Sequence, residues 1–215
     1  MNIGNNLNYN DIICAISTAP GMGAIAVVRL SGTGSIALVD NIFQSPINKK
    51  LINQKPYTVH FGKIMDNQAV LDEVLVTVFH APHSFTGEES VEIACHGSIY
   101  IQQKLMEVLI NAGARMEEAG EYTRRAFANG KFDLSQAEAV ADLIAATSAS
   151  SHKVSLNQMR GGFTNKIAKL RDTLLQFVSL IELELDFSEE DVEFANRDTL
   201  MELTNEVERE IDKLA

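Results

Sequence analysis

Two cysteines, Cys14 and Cys95, are all that the 215 residues contain, and they form no C-x-x-C pair. A disulfide framework or a structural zinc site needs clustered cysteines, so neither class fits. No apolar run approaches the ~20 residues needed to cross a bilayer. The opening "MNIGNNLNYNDIICAIS" lacks the basic start and apolar core of an export signal, so cytoplasmic residence is expected. Basic residues are scarce as well: 18 Lys and Arg stand against 29 Asp and Glu, a formal charge of −11. Coating a phosphate backbone needs a basic surface, which excludes a general nucleic-acid-coating role while leaving room for a local basic patch. The chain also has no G-x-x-x-x-G-K-[ST] stretch. Gly62-Lys63 and Gly130-Lys131 have the wrong preceding spacing and no hydroxyl after them. By itself the chain cannot cradle a nucleoside triphosphate in the P-loop manner.

What is present is a globular composition, 46% hydrophobic, with length for one large or two small domains. The first half alternates. "DIICAISTA", "AIAVVRLS", "YTVHFGKIM", "AVLDEVLVTVFHA" and "SVEIACHG" are β-branched runs bounded by turn residues, which predicts five strands. The third and fourth are joined through "MDNQA", a short hairpin connection. "SIALVDNIF" and "IYIQQKLMEVLINAG" read as helices between strands. In the second, Ile101, Leu105, Val108 and Leu109 share a face and Gly113 stands at the C-terminal cap. Hairpins mixed with crossovers predict an α+β domain over residues 1–118.

Beyond residue 118 the strand signals stop, and 119–215 reads as part of an α-helical bundle. "LSQAEAVADLIAATS" opens with Ser135 and Glu138 at capping-box spacing and predicts a buried face of Val140, Ala141 and Ile144. Leu156, Met159, Phe163, Ile167, Leu170, Leu174, Phe177 and Ile181 recur at steps of three or four, the stripe of one long helix. Gly161-Gly162 interrupts it as a kink or a close crossing. That stripe is exposed unless another helix covers it, so the helical part is expected to be less ordered or to pair with a second copy. A last helix carries Leu200, Leu203, Val207, Ile211 and Leu214. From Glu182 to Asp212 acids far outnumber bases, the pattern of a solvated face.

Three stretches are chemically suggestive. "GEESVEIACHGS" gathers Glu88, Glu89, Glu92, Cys95 and His96. Strand alternation sends Val91, Ile93 and Cys95 to one face and Glu92, Ala94 and His96 to the other, which disfavours a local Cys-His dyad. Glu92 then reads either as an ion-paired or solvated acid, or as a fixed carboxylate accepting paired hydrogen bonds from a ligand. "RLSGTGSIALVD" matches G-x-G-x-x-A through Gly32, Gly34 and Ala37, but no acid follows near the ~20-residue spacing of a dinucleotide fold. A tight turn into a helix is the better reading. "AGEYTRRAFANGKFDLSQAEAVADLI" mixes Arg124, Arg125 and Lys131 with Phe127 and Phe132: a charged hinge, or a cluster for phosphate, carboxylate or a stacked ring.

"DIICAISTAPGMGAIAVVRLSG", "HSFTGEESVEIACHGS", "AGEYTRRAFANGKFDLSQAEAVADLIAATS" and "LELDFSEEDVEF" together resemble the MnmE (TrmE) family of tRNA-modification GTPases, in the family's order and over nearly the whole chain. The departures are small: "TAPGMGA" for the family's T-P-P-G-R-G-G, "CHGS" for H-G-G, and "AGEY" for P-G-E-F. The first places Met22 where the family has arginine, which leaves any contact of that arginine without a counterpart. The resemblance implies an N-terminal domain similar to the folate-binding domain of glycine-cleavage aminomethyltransferases, binding 5-formyl- or 5,10-methylene-tetrahydrofolate and forming a homodimer. Carried over by motif, the folate-contacting positions are Arg29, Glu92 and Lys131. A pterin ring offers adjacent N–H donors to a carboxylate, and the anionic folate tail suits cations.

By the same resemblance, the whole protein works with MnmG, an FAD-dependent partner. Together they place an aminomethyl-type group on C5 of the wobble uridine of certain tRNAs, while GTP, Mg²⁺ and K⁺ bind a Ras-like domain inserted in the helical part. That domain is not in this sequence, so the chain is expected to be a fragment or a truncated product. No catalytic residue and no metal ligand is assigned to it. The alternatives are a dimerisation scaffold with no folate binding, or a stand-alone folate-dependent aminomethyltransferase with His96 as its acid or base. The purified chain is expected to hydrolyse no GTP; turnover above a protein-free blank, measured as phosphate release, contradicts this.

Overall fold

The computed structural model describes residues 11–186 and 197–212. The chain divides into two compact units, Met1–Ala137 and Glu138–Ala215.

In the first unit the five alternating runs become β1 (Ile13–Ile16), β2 (Ile25–Ser31), β4 (Thr58–Asp66), β5 (Ala69–Phe79) and β6 (Ser90–His96). Two further strands, β3 (Phe43–Gln44) and β7 (Arg115–Met116), are too short to show a period in sequence. All seven form one sheet in the order β3-β4-β5-β6-β2-β1-β7. Each neighbouring pair is antiparallel except β1 with β7. Asp66 pairs with Ala69 across a two-residue loop in which Asn67 has φ +55, so the expected hairpin is there.

One face of this sheet is the core. Helices α1 (Ser35–Ile42) and α2 (Ile99–Asn111) bury Ile36, Val39, Leu105 and Leu109 against Val28, Leu30, Val76 and Ile93. Each such side chain contributes roughly 1.5–3 kcal/mol on burial. The expected inner face of α2 is found, with Ile101 at its partly buried margin, and Gly113 follows the helix at φ +112. The opposite face is largely open, with Ile25, Val59, Phe61 and Leu75 exposed.

Helix α3 (Glu121–Ala128) covers only the β1 end of that open face, where Tyr122 packs on Ile13 and Ala15. The compact unit therefore runs past the boundary expected at residue 118. Strand signals end there, but the chain returns to the sheet by a helix. An ionic cluster anchors it. The fully buried Arg125 guanidinium donates to Glu121 Oε1 (2.9 Å), Asp11 Oδ1 (2.6 Å) and both carboxylate oxygens of Glu88 (3.3 Å). Arg115 forks onto the fully buried Glu121 at 2.8 and 2.6 Å. This fork is the main cause that lowers the Glu121 carboxyl from 4.5 to about 2, against the opposing effect of burial.

In the second unit, α4 (Leu134–Ala145) straddles the division and is followed by α5 (Ala149–Met159), α6 (Gly162–Asp186) and α7 (Arg197–Asp212). Three expectations change. The capping box of α4 is formed by Asp133 and Gln136, whose side chains accept each other's backbone N–H at 2.8 and 3.0 Å, not by Ser135 and Glu138. The buried position is Ala139, with Val140 of the expected face half-buried like Leu143, while Ala141 is exposed and Ile144 is 82% exposed. Ser135, Glu138 and Asp142 make one polar stripe along α4, and of the broad apolar remainder Ala139 is covered while Ile144 lies open. The long stripe is split: α5 ends at Met159, Gly161 turns the chain at φ +80, and α6 begins afresh. Ile167, Leu174 and Ile181 remain exposed on α6. The side chains of Phe163, Leu200 and Leu203, and residue Leu214, lie outside the described residues, as does part of the acidic run.

The Glu121 carboxyl is depressed in the folded chain, so its pairing stabilises fully above about pH 4.5 and is lost as pH falls toward about 2. Glu121→Gln is expected to cost about 3 kcal/mol at neutral pH, because two arginines lose their shared acceptor. It should also flatten the acid limb of a denaturant-midpoint-versus-pH profile; an unchanged acid limb contradicts the assignment.

Candidate functional site

The three carboxylates of "GEESVE" have three different fates. Glu88 turns inward, accepting Ser31 Oγ at 2.7 Å as well as Arg125. Glu89 accepts the Gly34 backbone N–H at 2.9 Å. Gly34 is the N-cap of α1, in a left-handed conformation with no capping side chain of its own. The helix terminus that mimics a phosphate-binding loop is thus occupied by the chain's own carboxylate, which accounts for the G-x-G-x-x-A match without a dinucleotide. Glu92 points to the open face.

Arg29 on β2 lies directly opposite Glu92 on β6 in the ladder, with Thr77 of β5 on its other side. The Arg29 Nε and Nη2 both donate to Glu92 Oε1, at 2.9 and 2.6 Å. Glu92 Oε2 takes no hydrogen bond among the described residues. The pair is partly exposed, so its contribution to stability is small, ~0–1 kcal/mol. It orients a carboxylate more than it holds the fold. The guanidinium carbon lies 5.8 Å from the Phe85 ring centre and 5.7 Å from that of Tyr122. Tyr122 also donates its hydroxyl to the Arg29 carbonyl at 2.6 Å, and burial pushes the ionisation of that phenol far up. Glu117, half-buried at the end of β7, has its carboxyl raised by burial and by Glu121, with Arg29 acting in the opposite sense.

Lys131 does not join the pair. Its Nζ donates to the Pro82 carbonyl at 3.2 Å, and its stem lies against Gly87, which has φ +80 and whose added Cβ would stand 3.2 Å from Lys131 Cγ. Its link to Arg29 is indirect: the neighbouring Phe132 meets Phe85 edge-on, ring centres 5.5 Å apart. Arg29 and Glu92 are together, and Lys131 stands behind the aromatic pair. Of the hinge cations, Arg124 pairs with Glu118 at the surface and Arg125 is internal. Cys14 and Cys95 are both buried, and burial pushes each thiol up to about 11, the range of an inert cysteine.

Two participants escape a reading of the sequence. Phe85 carries no periodic signal in its loop. Asp72 does leave one, as a lone acid in register with the buried Val74, Val76 and Val78 of β5. Its carboxylate accepts the His96 backbone N–H at 2.8 Å and bonds His96 Nδ1 at 2.7 Å. Among the described residues, no group of three or more His, Cys, Asp or Glu is arranged to hold a metal, and no helix is long and apolar enough to cross a membrane.

Residues 12–131 match the family model described as the GTP-binding protein TrmE N-terminus, and residues 134–215 match that of the MnmE helical domain. The chain belongs to the MnmE family. It is 56% identical over 204 residues to a tRNA modification GTPase MnmE of Flavobacterium johnsoniae. Identity is 58% over 205 residues to the protein of that name from Bacteroides thetaiotaomicron. Each alignment covers 95% of this chain and 44% of the relative, so the chain spans less than half the length of these MnmE proteins. The two family models meet at residues 131–134, after α3, where the compact first unit also nears its end.

Tyr122→Phe is expected to cost about 1 kcal/mol by removing the hydrogen bond to the Arg29 carbonyl. For a chain of this size that is about 2–4 °C in Tm. An unchanged melting temperature removes that bond from the account of how Arg29 is held.

Proposed function

We propose that this chain is the ligand-binding and assembly portion of a tRNA-modification GTPase, and that its first unit holds a one-carbon tetrahydrofolate through Glu92. The observation carrying this is the oriented carboxylate. Arg29 occupies one oxygen of Glu92 and leaves the other bare on an open sheet face. That bare oxygen, with two lone pairs, can accept from the N–H donors at the edge of an aminopyrimidine ring, the end of a reduced pterin. The exposed side chains of Val59, Phe61 and Leu75 offer an apolar surface to such a ring or to a second copy of the chain. Lys131, at the rim beside Phe132 and Phe85, suits the anionic tail of the ligand. Arg29, by contrast, serves to orient Glu92.

The relatives carry the name tRNA modification GTPase, which supports the wider setting. In it the first unit forms the homodimer, and the helical unit is the opening portion of a larger helical domain. GTP with Mg²⁺ and K⁺ belongs to a further domain. MnmG is the FAD-dependent partner in modifying the wobble uridine of cytoplasmic tRNA. The chemistry takes place in that assembly, and this chain supplies binding.

Calorimetry with 5-formyltetrahydrofolate tests the reading. The unaltered chain is expected to bind, and Glu92→Ala to lose at least about tenfold in affinity, as one charge-assisted pair of hydrogen bonds is removed. No heat from the unaltered, folded chain sinks the proposal and leaves a dimerising scaffold in its place.

A further inference from the structure

His96 lies four residues beyond Glu92 on β6, and alternation puts Glu92, Ala94 and His96 on the same face. Its ring is unusually well fixed for an exposed side chain. Asp72 is buried, and one of its oxygens takes the His96 backbone N–H while the other bonds Nδ1. The Glu73 N–H adds a third hydrogen bond to Asp72, at 2.9 Å. An ionised carboxylate can only accept, so Nδ1 is the nitrogen that donates to Asp72, and in the neutral tautomer that this selects, Nε2 is a bare acceptor. The His96 side chain remains 68% exposed.

The ground between Glu92 and His96 is apolar. Ala94 is the small residue between them, flanked in the ladder by Val27 on one side and Leu75 on the other. A hollow of about 160 Å³ opens at the His96 end of this ground, with Ile25, Phe61, Leu75, Ala94 and His96 among its lining. The backbone separation from Glu92 to His96 is about 13 Å at a rise of ~3.3 Å per residue. That span suits a fused two-ring heterocycle lying flat on Ala94 with a hydrogen bond at each end.

We propose that His96, set by Asp72, is the second polar anchor of the ligand: its Nε2 accepts a hydrogen bond from an N–H at the edge of the reduced pteridine remote from Glu92. This rests on the folate reading above and adds to it the direction in which the ring lies, along β6 toward the α2 end. Asp72 is a positioning residue, acting through the imidazole.

The test uses the 215-residue chain labelled with ¹⁵N-histidine and titrated with 5-formyltetrahydrofolate. On binding, the Nε2 resonance of His96 is expected to shift while Nδ1 stays protonated. His96→Asn keeps a donor to Asp72 in the place of Nδ1 but has nothing at Nε2, so a merely structural histidine tolerates it. It is expected to weaken binding about tenfold with the melting temperature maintained. Binding that needs Glu92 but leaves the Nε2 resonance unmoved, with His96→Asn within twofold of the unaltered chain, overturns this inference alone. No binding by the unaltered chain overturns both it and the folate reading. The titration of the unsubstituted protein decides between these outcomes even where the variant fails to fold.

Discussion

Arg125 has no solvent exposure, and its guanidinium is divided among Asp11 before β1, Glu88 in the loop before β6, and Glu121 on its own helix. A buried charge left without partners costs several kcal/mol, so these three segments cannot drift apart without a large penalty. The site follows from that constraint. Holding Glu88 fixes the loop that carries Phe85, and holding Glu121 fixes the helix that carries Tyr122. Those two rings then bracket Arg29. Arg29 in turn holds one oxygen of Glu92. The interior charge cluster and the surface ion pair thus belong to one chain of causes, although only the first matters much to stability.

The sheet does the rest through register. Antiparallel pairing of β2 with β6 sets Arg29 and Glu92 side by side, and the two-residue period brings Ala94 and His96 into line with Glu92. A slip of one residue would send Glu92 into the core and Ile93 into solvent. The packed inner face, with Ile36, Leu105 and Leu109 against Ile93, excludes that slip. Glu89, capping α1, ties the start of β6 to the helix on the inner face, so the acidic triplet serves core, cap and open face in turn.

Strong periodic signals are legible wherever an element is long enough to repeat. The five alternating runs, the stripe of α2 and its closing Gly113 need no tertiary information. Strands of two residues, β3 and β7, have no period to read and exist only because longer neighbours offer them hydrogen bonds. In the helical unit the stripe that reads as one helix is broken at Gly161, because a glycine at φ +80 ends a helix whatever the hydrophobic pattern around it suggests. On α4 the polar stripe of Ser135, Glu138 and Asp142 leaves a broad apolar remainder, and the pattern alone does not say which part of it is covered.

For the site itself, local order determined that Glu92 and His96 share a face, that Cys95 does not join them, and that no triphosphate loop exists in this chain. Those conclusions follow from side-chain alternation and from motif spacing, both properties of neighbouring residues. Only the tertiary structure decided that Arg29 orients Glu92, that Arg125 is interior, that Lys131 stands apart, and that Asp72 grips His96. These are contacts between residues 24 to 114 positions apart. Which charged groups meet at such separations depends on strand order and on where the loop before β6 is pinned, and neither is encoded in any local stretch.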